Sequence, residues 1–148
     1  MEEVLIAPCG MNCGICSAYL AFSRDLPRQR GKITHCAGCR PRNKQCAFLK
    51  GQCEKIAGNL ITFCFECPDF PCETLGGLDE RYHTLYHMSM IENLQYIKEH
   101  GIEEFLKKEE EKWRCPQCGG VICCHNGICF NCGLDLLRNK KKRYRWEE

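Results

Sequence analysis

No stretch of this 148-residue chain approaches the ~18 apolar residues that a membrane-spanning helix requires. The first residues, Met1-Glu2-Glu3-Val4-Leu5-Ile6, are acidic and their apolar run stops at about Pro8. A secretory leader needs a basic start and an apolar stretch of roughly 7–15 residues. Strong net charge is missing too: 21 basic against 19 acidic residues leave +2, which selects no partner by itself. Apolar side chains are scarce. The hydrophobic fraction of 44% counts the cysteines, and without them about a third of the chain remains to build a core, thin for unaided folding. Catalytic signatures are absent as well. There is no glycine-rich phosphate loop and no paired catalytic carboxylates. His83 and His87 have zinc-binding spacing, but Thr84 stands where a metalloprotease needs its glutamate. Nothing here supports an enzyme.

What is abundant is cysteine, at 16 of 148 residues, above the roughly 8–10% at which a short chain reads as a cross-linked scaffold. A chain with too little core needs disulfides or metals as staples. With no leader in sight the expected location is cytoplasmic, where disulfides are rare and close-set cysteine pairs bind metal. A secreted disulfide scaffold is the alternative this disfavours.

The cysteines are unevenly distributed. Ten lie between Cys9 and Cys72, none between Glu73 and Arg114, and six between Cys115 and Cys132. In the first block, Val4 to Ala7 reads as a short strand and Ile15 to Phe22 as a helix, with Ile15, Tyr19 and Phe22 at helical spacing. Arg24 to Lys32 reads as a basic loop. Cys36 to Cys72 needs little regular structure, because metal ligands can fix the chain instead. In the cysteine-free middle, Ser89-Met90-Ile91-Glu92 has the form of a capping box. Ile91, Leu94 and Ile97 supply an apolar face, and Gly101 suits a helix stop. A second helix is predicted from Ile102 to about Trp113, docked by Ile102, Phe105 and Leu106. Its solvated face would be supported by Glu103–Lys107 and Glu104–Lys108 pairs.

Cys115-Pro116-Gln117-Cys118-Gly119 and Cys129-Phe130-Asn131-Cys132-Gly133 are matched knuckles ten residues apart. Two intervening residues let both sulfurs of a knuckle reach one ion at ~2.3 Å, and two knuckles complete a tetrahedron. The glycine after each second cysteine would permit positive φ, turning backbone amides toward the thiolates. Between the knuckles a hairpin is predicted, with Asn126-Gly127 at its turn. Closed sites of this kind hold structural zinc, although four thiolates can also hold a single iron, as in rubredoxin. Cys123 and Cys124 are surplus, and adjacent strand residues face opposite ways, so packing is the expected role for both.

The N-terminal block contains Ala7-Pro8-Cys9-Gly10-Met11-Asn12-Cys13-Gly14-Ile15-Cys16, then Cys36-Ala37-Gly38-Cys39-Arg40, then Cys64-Phe65-Glu66-Cys67-Pro68-Asp69-Phe70-Pro71-Cys72. Over roughly Ile6 to Leu75 this pattern resembles the cysteine-rich bacterial and archaeal family called domain of unknown function 3795. The resemblance implies metal binding and supplies no activity. Cys46 and Cys53 fall where members of that family often carry cysteines. From the residues alone, ten cysteines can complete two four-ligand sites. Cys36/Cys39 and Cys64/Cys67 are knuckle-like pairs, and Cys9, Cys13, Cys16, Cys46, Cys53 and Cys72 are candidates for the rest. Their pairing stays open.

The C-x3-C-x2-C run of Cys9, Cys13 and Cys16 also matches the cluster signature of radical S-adenosylmethionine enzymes. A (β/α)8 barrel takes about 200 residues or more, and alternating strand–helix units are missing here. An iron–sulfur cluster held by these three and a fourth cysteine remains an alternative to zinc. His35 and His125 adjoin cysteines and could substitute as ligands, and His100 suits a helix end. Arg138, Lys140, Lys141, Lys142, Arg143 and Arg145 crowd the C-terminus with Tyr144 and Trp146 between them. Such a tail can meet nucleic acid, with cations on phosphates and aromatics on bases, or remain a solvated terminus.

The expected fold class is a small, metal-stabilised α+β protein. Residues 1–75 form an irregular cysteine-rich domain, 76–112 a helical segment, 113–137 a rubredoxin-like zinc ribbon and 138–148 a basic tail. The expected cofactors are two or three zinc ions, with iron or an iron–sulfur cluster in the N-terminal domain as the alternative. The expected role is a non-enzymatic module that binds a nucleic acid or a protein through ribbon and tail. A redox protein is the second reading, and a metal-dependent enzyme with an open coordination position the third.

Overall fold

The computed structural model describes residues 1–42, 51–141 and 144–146. Helices carry the regular structure, and strand content among the described residues consists of four isolated antiparallel bridges. The α+β expectation therefore becomes a mostly helical protein with few strands.

The N-terminal run is not a strand. Glu3–Leu5 coils as a short 3-10 turn, and Ile6 makes a lone bridge to Asn12. Asn12 then sets the next turn, its Oδ1 accepting from the Gly14 amide at 2.8 Å at the start of Cys13–Ile15. Helix α1 follows over Ser17–Ser23. Its buried residues are Ser17, Leu20 and Ala21, while Phe22 points outward and stays 46% exposed. Beyond it, the 24–33 loop closes through a bridge between Gln29 and Ile33. A single turn, α2 at Glu54–Ala57, and a 3-10 turn at Cys64–Glu66 are the regular pieces among the described residues up to Cys72.

Helix α3, Glu73–Tyr86, is the longest of the described helices. It lies largely within the expected 76–112 helical segment, even though Gly76 and Gly77 each cost about 1 kcal/mol of helix propensity. Tertiary packing outweighs that cost, since Leu75, Leu78, Tyr82 and Tyr86 form one stripe against the main core. Helix α4, Met90–His100, starts as expected, with Ser89 Oγ accepting from the Glu92 amide at 3.1 Å. The other half of that cap comes from α3: Asp79 accepts from Ser89 Oγ at 2.7 Å and from the Ile91 amide at 3.0 Å. Gly101 ends α4 and begins α5, Ile102–Lys112.

Phe105 docks α5 and is fully buried with Ile6 and Ile97. The expected i,i+4 pairs are replaced by Lys107–Glu104 at i,i+3, while Lys108 sits over the Tyr96 ring at 4.2 Å. The docking face also buries an acidic residue. Glu109 is 2% exposed, held by Trp113 Nε1 at 3.2 Å and Asn12 Nδ2 at 3.4 Å.

After α5 the chain doubles back through bridges Arg114–Val121 and Ile122–Cys129, then forms α6, Leu134–Asn139. The turn between the bridges is wider than a two-residue Asn-Gly turn. It covers Cys124 to Asn126, with the Gly127 amide donating to Cys123 O at 2.8 Å, and Gly127 at φ +70° while Asn126 keeps negative φ. The tail folds onto this turn. Trp146 Nε1 donates to Cys124 O at 2.7 Å, and Tyr144 packs on His125 at 4.7 Å. None of the described helices is long and apolar enough to cross a membrane.

Candidate metal centres

Two short turns and one return of the chain converge four thiols at the C-terminus. Cys115, Cys118, Cys129 and Cys132 have all four sulfurs within 4.8 Å of one another. Cys115 and Cys132 lie 3.7 Å apart, Cys118 and Cys129 3.5 Å. A tetrahedral ion with ~2.3 Å metal–sulfur bonds requires sulfur–sulfur edges of ~3.8 Å, so this donor set fits one thiophilic ion.

Amides complete the environment. Gly120 N donates to Cys118 Sγ and Asn131 N to Cys129 Sγ, both at 3.4 Å. Amides of Cys118 and Gln117 pull the Cys115 thiol down to about 7, whereas the neighbouring Cys115 and Cys118 sulfurs push Cys132 up to about 12. The first knuckle has the expected positive-φ glycine, Gly119 at +75°. The second departs from it: Gly133 has φ −109° and serves close approach, since a Cβ there would stand 2.8 Å from Cys129 O.

Cys123 and Cys124 face opposite ways into two different cores, Cys123 beside Leu20 and Phe130, Cys124 beside Ile15 and Trp113. Burial pushes both thiols well up. They pack.

Two further groups of cysteines emerge in the N-terminal half. Cys13 Sγ accepts from the Cys39 amide at 3.4 Å, and the Cys39 thiol beside it lowers Cys13 to about 7 while Cys39 itself is raised. Cys16 and Cys36 are electrostatic neighbours of Cys13 and Cys39, as is Cys9. Burial raises Cys16 to about 11, and Arg42 Nη1 donates to Cys36 Sγ at 3.1 Å. The pairs Cys13/Cys16 and Cys36/Cys39 thus share one neighbourhood with Cys9, without three of their sulfurs coming within 4.8 Å of one another. Cys64 instead neighbours Cys53, Cys72 and Cys67, and burial foremost raises it to about 12. So Cys36/Cys39 and Cys64/Cys67, both knuckle-like in sequence, serve different groups. Cys46 lies outside the described residues. No disulfide is present among the described cysteines.

His125, His35 and His87 are engaged elsewhere, and His83 is exposed on α3. His125 is 5% exposed; its Nδ1 accepts from the Ser17 amide at 3.3 Å and its Nε2 meets Tyr82 Oη at 3.2 Å. His35 Nε2 pairs with Leu26 O at 2.7 Å. His87 leaves the helix as the left-handed cap of α3, against Trp146. Sequence reasoning missed both the His125–Tyr82–Tyr86–Tyr144 cluster and buried Glu109. The first joins distant segments, and the second is masked by its acidic and basic neighbours.

Residues 5–77, holding both N-terminal groups, match the model of the family described as protein of unknown function (DUF3795). The family match is therefore to the N-terminal cysteine-rich region of the chain. No curated protein and no solved structure matches it. The DUF3795 region thus contains the two cysteine groups, and the convergent four-thiol site lies downstream of it.

Proposed function

We propose that this chain is a zinc-stabilised module that binds nucleic acid. Residues 113–137 act as a zinc ribbon of the rubredoxin-like kind, one ion being held by Cys115, Cys118, Cys129 and Cys132. The tetrahedral sulfur spacing supports this, and closed four-cysteine sites favour zinc as a structural ion. We assign a second zinc to the Cys13/Cys16 and Cys36/Cys39 pairs, whose sulfurs must draw together from a wider spacing than the C-terminal four. Reduced thiolates of this kind belong in the cytoplasm.

The observation that carries the partner is the meeting of two basic segments. The 24–33 loop lies along α6, where Lys32 Nζ donates to Arg138 O at 2.8 Å, and Arg24 Nε donates to Asn131 Oδ1 at 2.7 Å. A groove of about 380 Å³ runs between them, with Arg28 and Arg138 on its rim. Lys141 and Arg145 are exposed nearby in sequence. Cations gathered this way suit a phosphate backbone. Tyr144 and Trp146 hold the tail against the turn, so the binding is electrostatic rather than built on base stacking.

The zinc reading is checked by elemental analysis of protein purified without added metal: Cys129→Ser should lose about one zinc per chain, and an unchanged zinc content would refute the site. For the partner, binding to a short duplex and a single strand is followed against salt. Arg28→Ala with Arg138→Ala should weaken binding and flatten the salt dependence by about one per cation. Binding insensitive to both salt and these changes overturns the surface.

A further inference from the structure

Cys53, Cys64, Cys67 and Cys72 ring a single cavity of about 320 Å³ whose wall also includes Ile56, Ile61, Phe70 and Leu75. These thiols differ from the C-terminal four in one respect. Among the described residues, the C-terminal four are the one set with three or more ligand atoms mutually within 4.8 Å. The four around the cavity enclose a space instead of meeting at a point. A single ion needs sulfur edges of ~3.8 Å, and drawing four separated sulfurs in to that spacing would abandon the cavity.

From this arrangement we propose that Cys53, Cys64, Cys67 and Cys72 hold a polynuclear iron–sulfur centre of the [4Fe–4S] class. Such a cluster is ligated by four cysteine thiolates, one at each iron, and its inorganic core takes up the volume between them. The surroundings suit it. Lys55 Nζ donates to Cys67 Sγ at 3.1 Å, and the Leu75 amide, in the first turn of α3, donates to Cys72 Sγ at 3.5 Å. A cation and a helix N-terminus offset the negative charge of four thiolates, and hydrogen bonds to sulfur are a means of setting such a cluster's potential. The rest of the wall is mixed, with Glu54, Asp69 and Thr74 beside the apolar residues and Cys72 exposed, so the site opens to solvent on one side. These cysteines are separate from those of the ribbon, so zinc at the C-terminus and iron here stand or fall independently.

The experiment is anaerobic purification of the full chain, followed by incubation with ferric iron, excess thiol as reductant and sulfide, and removal of the excess. Iron, acid-labile sulfide and zinc are counted and the visible spectrum recorded. The expected result is about four iron and about four sulfide per chain, with broad visible absorption. Cys67→Ser should reduce iron at least tenfold with the ribbon zinc retained, and Cys9→Ser should leave iron unchanged. Cys72→Asp keeps an anionic donor; it should hold iron but alter the electron paramagnetic resonance signal of the reduced cluster. A colourless chain that binds zinc alone at these cysteines, or an unaltered signal in Cys72→Asp, overturns the assignment.

Discussion

Glu109 shows how one side chain can tie together segments far apart in sequence. It accepts from Asn12, which organises the first cysteine loop, and from Trp113, two residues before Cys115. Burial raises its pKa, with Lys112 and the two hydrogen bonds opposing. A carboxyl whose folded pKa lies above its unfolded value, near 4.3, binds more protons folded than unfolded between the two. Stability therefore falls as pH rises through that window, and the deficit stays constant above it. Glu109→Gln removes the titration. The stability difference between wild type and Glu109→Gln should shift in favour of wild type as pH is lowered through the window. Denaturant midpoints for both proteins at a series of pH values check this, and a difference flat in pH would contradict the raised carboxyl.

At the scale of elements, the junction between α3 and α4 is a shared cap. Ser89 was readable as an N-cap because a short hydroxyl three residues before a glutamate is a local pattern. Its partner Asp79 was not readable, since the pattern named Glu92 and nothing local points ten residues back. Ser89→Ala should cost about 1 kcal/mol. Asp79→Ala removes the acceptor for both Ser89 Oγ and the Ile91 amide. The double variant should lose less than the sum of the single ones, because residues in one hydrogen-bond network are coupled by about 0.5–3 kcal/mol. Urea melts of the four proteins measure that coupling, and strict additivity would show that the two side chains act separately. A similar lesson holds at α3, where Gly76 and Gly77 argue locally against a helix that the Leu75–Tyr86 stripe then stabilises.

For the molecule as a whole, the proposed zinc would take the place of missing core. Among the described residues, the buried set includes five cysteines outside the C-terminal four-thiol site: Cys9, Cys13, Cys64, Cys123 and Cys124. Structural zinc contributes roughly 10–16 kcal/mol in small peptides, comparable with the whole stability of an ordinary domain. Removing zinc with a strong chelator should therefore unfold residues 113–137 and change the fluorescence of Trp113, which is 4% exposed and two residues before Cys115. Added zinc should restore it. Unchanged fluorescence after zinc loss has been verified by elemental analysis would show that the hairpin stands without metal.

The C-terminal four-thiol site was legible from spacing alone, because each knuckle is a local turn and two knuckles around a short return can meet in few ways. The helices at Met90–His100 and Ile102–Lys112 were legible for the same reason: cap, apolar period and stop all lie within a few turns. The partition of the N-terminal cysteines was not. Cys36/Cys39 and Cys64/Cys67 have identical spacing, and their allegiance to Cys13/Cys16 or to Cys53/Cys72 depends on where α1, α2 and α3 carry them. The basic groove likewise required the 24–33 loop and α6 to be brought together across about a hundred residues of chain. Such long-range meetings are set by burial of the whole apolar surface, a property of the folded molecule that no short stretch of residues contains.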